Sequence, residues 1–357
     1  MITSKNIHLA FQLNGISFSF EDLKEVAYSL IKEGKDFEVA IGNFLIDWVD
    51  DSEFIEVSTS GSTGVPKKIK LKKQHMVNSA LATGKYFDLK PTHRALLCLP
   101  ATYIAGKMML VRAMVLGLHL EYVHPDSNPV QAIKGDYDFA AMIPLQLENS
   151  LLQMKHFKTL IIGGSPLSNR LISKIQTKKT RVYETYGMTE TISHIAVKKV
   201  NHAPKKASYF EALPNIELKI DDRNCLVIYA PEISEKEVIT NDVVNLISAS
   251  QFEWLGRFDT LINSGGVKLN PETIEAKLHT ILKHPFFVAG VPDPVLGEKL
   301  VLIIEGNVDV LSIQTTVGQL KSLTKFEKPK EIFCLEQFIR TENGKLQRSK
   351  TLSLAIK

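Results

Sequence analysis

Nine consecutive residues, Thr59-Ser60-Gly61-Ser62-Thr63-Gly64-Val65-Pro66-Lys67, place hydroxyls, two glycines and an ammonium on one short segment. Hydroxyl and ammonium groups donate to phosphate oxygens, and glycines let a ligand approach the backbone, so the segment suits a polyphosphate. It does not fit the G-x-x-x-x-G-K-[ST] pattern, because Lys67 follows a proline and no helix start follows it. The alternative is an ordinary Ser/Gly turn. Three further groups have chemically useful spacing: Gly163-Gly164-Ser165, Tyr186-Gly187-Met188-Thr189-Glu190, and Asn343-Gly344-Lys345-Leu346. Ser165 is not read as a hydrolase nucleophile, since Gly163-Gly164-Ser165-Pro166-Leu167 lacks the second glycine of a G-x-S-x-G elbow.

These groups need elements to hold them. Phe54-Ile55-Glu56-Val57 and Lys68-Ile69-Lys70-Leu71 read as strands on either side of the first loop. From Arg94 to Tyr186 strand and helix patterns alternate: strand at Ala95 to Leu99, helix at Lys107 to Leu116, strand at Leu118 to Val123, strand at Phe139 to Ile143, helix from near Gln146, strand at Thr159 to Ile162, helix at Ser168 to Lys178 and strand at Arg181 to Thr185. Such a rhythm predicts a layered α/β domain with ligand groups in loops at the carboxyl ends of strands. Gly163-Gly164-Ser165 and Tyr186 to Glu190 fall at such ends.

After about Ile192 the pattern changes to short strands, with a hairpin from Ile216 to Tyr229 turning at Asp221-Asp222-Arg223-Asn224. Gly256-Arg257-Phe258-Asp259 marks a boundary, with a hinge placed at Asp259, and Asn263-Ser264-Gly265-Gly266 leads to a helix start at Asn270-Pro271-Glu272. A helix to Leu282, strands at Phe286 to Val291 and Leu300 to Ile304, a helix at Ser312 to Leu323 and a strand at Glu331 to Leu335 then describe a small unit. The expected fold is thus α/β: a large layered domain over 1–258, its β-rich part at about 192–258, and a small mobile α+β domain over 259–357.

At 357 residues and 44% hydrophobic content the chain can fill both cores. Its net charge of +4 is modest, and runs such as Lys67-Lys68 and Lys198-Lys199 are too short for nucleic-acid tails, so no nucleic-acid partner is expected. Cys98, Cys225 and Cys334 are far apart, which predicts reduced thiols and a cytoplasmic setting. The most apolar segment, Met108 to Leu120, is broken by Arg112 and His119, so no integral membrane association is expected.

Taken in order, Thr59 to Lys67, Tyr186 to Glu190, Gly256 to Asp259 and Asn343 to Leu346 resemble the motif series of the acyl-adenylate-forming superfamily, from about Glu53 to the C-terminus. Within it the chain looks like a short form of the branch that joins o-succinylbenzoate to coenzyme A in menaquinone biosynthesis. The resemblance implies ATP, Mg²⁺ and coenzyme A as reaction partners of a small carboxylic acid; an assembly of identical chains is left open. In that chemistry a carboxylate attacks the α-phosphorus of ATP, pyrophosphate leaves, and a thiol then displaces AMP from the acyl-AMP. Two anions must meet, so positioned cations carry much of the work.

The same resemblance implies roles by position. Thr59, Ser60, Gly61, Ser62, Thr63, Gly64 and Lys67 hold the β- and γ-phosphates, and Gly163, Gly164 and Ser165 pass under adenine. Tyr186 stacks on the base beside Gly187, Thr189 contacts the α-phosphate and Glu190 binds Mg²⁺ through a carboxylate oxygen. Asp242 takes the ribose hydroxyls with Arg257 near the same sugar; the family more often has glycine where Asn241 stands, and since asparagine tolerates left-handed backbone, a turn there is expected to survive. Lys345 bridges the substrate carboxylate and the α-phosphate. Rotation about Asp259 then withdraws Lys345 and brings Gly265 and Gly266 towards coenzyme A.

Leu99 to Gly106 matches the stretch that walls the acyl pocket, with Tyr103 where histidine is common; tyrosine does not titrate near neutrality. Arg112 stands alone as a charge in an apolar helix. It awaits an anion, and three are open: the second carboxylate of a dicarboxylic substrate, a protein carboxylate, or solvent reached by snorkelling. Pro144-Leu145-Gln146 also resembles the succinylbenzoate branch. The phosphate loop comes so early that most of the usual N-terminal subdomain is expected to be absent. Two rival functions stand beside the ligase: activation of another acid, and a non-catalytic AMP-binding relic, against which the presence of Lys67, Glu190 and Lys345 argues.

Overall fold

A computed structural model describes residues 2–58, 68–131, 133, 135–202, 209–340 and 346–356. The chain packs as two units, Met1–Lys219 with Ile228–Val238 and Ile247–Phe252, and Ile220–Val227 with Ile239–Leu246 and Glu253–Lys357.

The first unit begins with strands β1 (Gln12–Leu13) and β2 (Ile16–Ser17), joined through Asn14 and Gly15 at φ 49 and 80. Both central residues of a type I′ turn need positive φ, which explains the Asn-Gly pair. Helices α1 (Leu23–Glu33) and α2 (Asp36–Val49) follow. In α2 the buried residues Ile41, Phe44, Leu45 and Trp48 share one face, and Glu38 closes the N-terminus by accepting from the Lys35 backbone at 2.7 Å. Strands β3 (Phe54–Ser58) and β4 (Lys68–Lys72) pair antiparallel with Ser58 opposite Lys68, and the buried face of this ladder is Ile55, Val57 and Leu71.

Next come α3 (Lys73–Phe87), β5 (Arg94–Leu97), α4 (Ile104–Leu116), β6 (His119–Tyr122), β7 (Tyr137–Met142), α5 (Pro144–Asn149), β8 (Phe157–Ile162), α6 (Asn169–Ile175), β9 (Arg181–Gly187), β10 (His194–Lys199) and β11 (Phe210–Ala212). Their sheet order is β11-β10-β9-β8-β7-β5-β6-β1-β2. The run from β9 to β1 is parallel, and β10, β11 and β2 are antiparallel additions. Helices must cover a parallel sheet, and its strands accordingly read as continuous apolar runs. Helix α4 is buried from Gly106 to Val115, and Gly106 is required because a Cβ there would stand 2.3 Å from the Pro100 carbonyl oxygen.

Strands β12 (Glu217–Ile220), β13 (Cys225–Tyr229), β14 (Val238–Ser248) and β15 (Gln251–Arg257) are each divided between the two units. The second unit also holds the hairpin β16 (Ile262–Ser264) and β17 (Val267–Leu269), helix α7 (Pro271–Leu278), strands β18 (Phe286–Asp293) and β19 (Gly297–Glu305), helix α8 (Val310–Gln319), strand β20 (Glu331–Leu335) and helix α9 (Arg348–Ala355). Asn270 caps α7 by accepting from the Thr273 backbone, with Pro271 in the first turn where its missing N–H costs nothing. Side chains of β18 and β19 alternate between two faces. Val288, Leu300, Leu302 and Ile304 pack under α7 and α8, while Phe287, Val301 and Ile303 meet Phe338 and Leu352. Among the described residues no helix is long and apolar enough to cross a membrane. The three cysteines are free, Cys98 and Cys225 buried and Cys334 exposed.

Candidate functional site

Parallel pairing of β8 with β9 sets Ile162 beside Glu184, so the loop after β8 and the carboxyl end of β9 share one edge of the sheet. Gly163, Gly164 and Ser165 follow directly, while Tyr186 and Gly187 are the last residues of β9. Gly163 has no room for a side chain: a Cβ would lie 2.7 Å from Thr185 Oγ1, which donates to the Ile162 carbonyl at 3.0 Å. Gly164 takes φ +88, the left-handed region that glycine tolerates. The loop is tied down at both ends, as the Gly163 N–H donates to Met142 O at 3.1 Å and the Leu167 N–H donates to the buried Glu184 carboxylate at 3.1 Å. Lys198 pairs with the same carboxylate at 2.6 Å.

Tyr186 is half-buried, its ring edge-to-face with Phe252 at 5.0 Å and tilted against Phe210 at 5.8 Å, so two rings fix its plane. Thr189 and Glu190 sit in a single 3₁₀ turn, Thr189–Thr191, with Glu190 exposed. Gln146 braces the same end of the sheet. Its side-chain amide donates to Cys98 O at 2.8 Å and Asp126 O at 3.0 Å, and its carbonyl oxygen accepts from the Ile143 backbone at 3.2 Å.

A strained turn follows Glu190. Ile192 adopts φ 65 and ψ −55, and the Ser193 N–H donates to Thr191 O at 2.6 Å, which makes a γ-turn of the rare kind. A β-branched residue at positive φ costs on the order of 1–3 kcal/mol and persists only where its surroundings impose it. Here the turn presents Ser193 and His194 to α4. Arg112, 2% exposed, donates through Nη2 to Ser193 Oγ at 2.7 Å and through Nε to Thr83 Oγ1 at 3.3 Å. Among the described residues its Nη1 meets only the Met109 sulfur, at 3.7 Å. No carboxylate of the described residues pairs with it, and burial pushes its guanidinium down to about 10, which leaves it charged at neutral pH. Both protein-side alternatives for Arg112, an ion pair and a snorkelled head group, are therefore absent among the described residues. Tyr103 lies at the other end of α4, flanking its N-terminus and 37% exposed. The structure does not bring these two side chains together.

In the second unit, Asp242, Arg257 and Asp259 form one group. Asp242 is buried, accepts from Trp254 Nε1 at 3.1 Å and stands 3.9 Å from Arg257 Nη1. Arg257 donates to both oxygens of Asp259, at 3.0 and 2.8 Å, and these bonds hold the Asp259 carboxyl below the usual carboxylate range. The turn expected at Asn241 is not there: the residue lies inside β14 with extended backbone, and its amide oxygen accepts from Arg223 Nη1 at 2.9 Å. A side-chain acceptor for Arg223 replaces the backbone freedom that glycine offers. Gly265 and Gly266 form the two-residue turn between β16 and β17 at φ 61 and 81, exposed, with the Gly265 N–H donating to Leu296 O at 2.8 Å.

Thr59, Ser60, Gly61, Ser62, Thr63, Gly64, Lys67 and Lys345 lie outside the described residues; the strand ends Ser58 and Lys68, and the bridge Arg340 to Leu346, flank them. Four contributing residues carried no motif of their own in the sequence: Thr83, Glu184, Ser193 and His194. The signal for Ser193 and His194 is their place one residue beyond Thr189-Glu190-Thr191, and Glu184 stands two residues before Tyr186.

The pattern shared by the AMP-binding enzymes matches residues 57–228. A solved structure of an acyl-CoA synthetase (AMP-forming)/AMP-acid ligase II-like protein from Dyadobacter fermentans is 34% identical, covers 93% of this chain and 98% of its own, and superposes with a TM-score of 0.61. The 2-succinylbenzoate–CoA ligase of Enterococcus faecalis is 24% identical over 334 residues, 83% of this chain and 68% of that protein. O-succinylbenzoate coenzyme A synthetase from Bacillus subtilis, solved with ATP and magnesium, shares the fold at 19% identity, a TM-score of 0.72, and coverage of 86% of this chain and 74% of its own. With the shared pattern running from β3 through β13, and one relative alike over nearly its whole length, the chain belongs to the AMP-binding enzyme family.

Proposed function

We propose that the chain is an ATP-dependent acid–thiol ligase that activates 2-succinylbenzoate as its acyl-AMP and transfers the acyl group to coenzyme A. The observation that carries the choice of acid is Arg112, a buried guanidinium whose described partners are all neutral. A cation at such a site gains most from an anion brought by the ligand, and a dicarboxylic acid retains one carboxylate after the other is activated. Names carried by the Enterococcus faecalis and Bacillus subtilis relatives support the same acid.

In the first half-reaction an oxygen of the side-chain carboxylate attacks the α-phosphorus, the bond from that phosphorus to the bridging oxygen breaks, and pyrophosphate departs. Thr59 to Lys67 would donate to the β- and γ-phosphates and Lys345 to the α-phosphate and acid, reducing the repulsion between two anions. Tyr186, held by Phe210 and Phe252, offers its face to adenine, while Gly163 and Gly164 leave space for the base. Asp242 and Arg257 suit a ribose diol, one accepting and the other donating. Glu190 is exposed and would supply an oxygen ligand to Mg²⁺, whose chemistry there would be to offset charge on the phosphates.

In the second half-reaction a thiolate sulfur attacks the acyl carbon and AMP leaves. We assign the backbone rotation between the two to Asp259, the approach of coenzyme A to the exposed Gly265-Gly266 turn, and a wall of the acyl pocket to Tyr103. The test is pyrophosphate release with a panel of acids, ATP and Mg²⁺, followed by addition of coenzyme A. Release with 2-succinylbenzoate and conversion to its thioester is expected. Absence of acid-dependent pyrophosphate would overturn the enzyme reading, and release with fatty or aromatic monoacids alone would overturn the choice of acid.

A further inference from the structure

The donors and acceptors around Arg112 allow one arrangement of protons. Thr83 Oγ1 gives its only hydrogen to the Ser79 carbonyl at 2.9 Å, so at its 3.5 Å contact with His194 Nε2 the hydroxyl oxygen can only accept. His194 Nε2 therefore carries the ring proton and Nδ1 carries a lone pair. That lone pair faces Arg112 Nη2 at 3.4 Å and Ser193 Oγ at 3.4 Å, both of which have hydrogens to give. Ser193 Oγ in turn accepts from Arg112 at 2.7 Å and from Ser79 Oγ at 3.3 Å, which frees its own hydrogen for Nδ1. The opposite tautomer would set an N–H against the guanidinium and against a hydroxyl oxygen that already accepts twice.

We infer that His194, fixed as the Nε2–H tautomer by Thr83, is a positioning residue for Arg112: it accepts on one edge of the guanidinium and so leaves the Nη1 edge for the second carboxylate of the acid. The inference rests on the reading of Arg112 as the group that binds that carboxylate. Three neutral acceptors, Thr83, Ser193 and His194, hold Nε and Nη2, while among the described residues Nη1 has only the Met109 thioether against it. A thioether is a weak acceptor on a flexible side chain, and a carboxylate oxygen displaces it readily. The groups facing His194 are Arg112 from α4, Thr83 and the Phe87 ring from α3, and Ser193 beside it; Glu232 and His194 both line a small cavity with room of about 10 Å³. Neither an imidazolium nor an Nδ1–H ring fits that setting.

Two acids separate positioning from packing: 2-succinylbenzoate, and 4-oxo-4-phenylbutanoate, which has the same reacting arm and no ring carboxylate. In His194→Leu, which keeps bulk and loses the acceptor, KM for 2-succinylbenzoate is expected to rise about tenfold and KM for the analogue by less than about twofold. His194→Gln can accept towards Arg112 and donate towards Thr83, and should return the first KM to within about threefold of the parent. Thr83→Val should act like His194→Leu. Equal rises for both acids in His194→Leu would overturn the inference and leave His194 a packing residue. Arg112→Met is the control: if it too raises both KM values equally, the reading of Arg112 falls and the inference with it, whereas selectivity lost in Arg112→Met but kept in His194→Leu removes only the inference. The parent protein gives a second readout that needs no variant. Imidazole nitrogen shifts should report Nε2–H with a bare Nδ1 between about pH 5.5 and 8, and an Nδ1–H or doubly protonated ring in that range would overturn the assignment.

Discussion

Arg348 closes on Glu275 through two parallel hydrogen bonds, Nη1 to Oε1 and Nη2 to Oε2, each 2.7 Å. The pair joins the start of α9 to α7, and Arg340 makes a similar double contact with Glu305 at 2.5 and 2.6 Å on the other side of residues 341–345. Arg340 and Arg348, on either side of residues 341–345, are thus each held by a carboxylate within one unit. Arg348→Met would leave the nearly buried Glu275 carboxylate without its cation, and is expected to cost about 2–3 kcal/mol in denaturant melts. Adding Glu275→Gln should cost less than the sum of the two single changes, because the pair is coupled. Strict additivity would show that the contact contributes little.

Lys345→Ala separates the half-reactions. Adenylation should fall by at least about a hundredfold, a scale typical of removing one positioned charge from a transition state, whereas thioester formation from supplied acyl-AMP should change little. Single-turnover measurements of each step decide it, and equal losses would remove the role given to this lysine.

Acid should find His194. Burial first, and then the Arg112 charge, hold this imidazole well below its ordinary value of 6.5. The unfolded chain binds a proton near that pH which the folded ring refuses, so stability is lost as pH falls below 6.5, by at most about 1.4 kcal/mol per unit for one group. His75 and His279 are lowered as well, chiefly by burial, and act in the same direction. The informative quantity is therefore the difference between the parent and His194→Gln. The variant should lose less stability from about pH 6.5 to 5, and parallel curves would contradict a buried neutral ring.

Two glycines test two kinds of constraint. A Cβ on Gly187 would stand 2.3 Å from the Ser193 carbonyl oxygen, a backbone atom that cannot turn aside. Gly187→Ala should cost about 3 kcal/mol and displace Ser193 from Arg112. Gly266 has open space around it but φ +81, so Gly266→Ala should cost only about 1–2 kcal/mol, from backbone strain alone. Denaturant melts of both give the comparison; similar costs would mean that the Ser193 turn yields.

Strand and helix alternation was legible between Arg94 and Tyr186 because a parallel sheet buries both faces and leaves continuous apolar runs such as Leu160-Ile161-Ile162. Helix α6 is shorter than its pattern suggested: Ser168 is the cap, accepting from the Leu171 backbone, and the helix stops at Ile175. The length of β14 was not legible, since polar residues such as Asn241, where a turn was expected, interrupt its apolar residues. Gly163, Tyr186 and Glu190 stood out through motif and strand-end position. The Arg112 surroundings did not: Thr83 comes from α3, Ser193 and His194 from the end of a γ-turn and the residue after it, and a buried hydrogen-bond network leaves no periodic trace in a chain.

The most direct measurement is ATP–pyrophosphate exchange with labelled pyrophosphate, Mg²⁺ and no coenzyme A, with and without 2-succinylbenzoate. It reports reversible formation of the acyl-AMP and nothing later. Exchange that requires the acid, and that falls when 4-oxo-4-phenylbutanoate replaces it, is the expected result. Exchange with neither acid, or equal exchange with both, would contradict the assignment of this chain as a ligase whose buried Arg112 reads a second carboxylate.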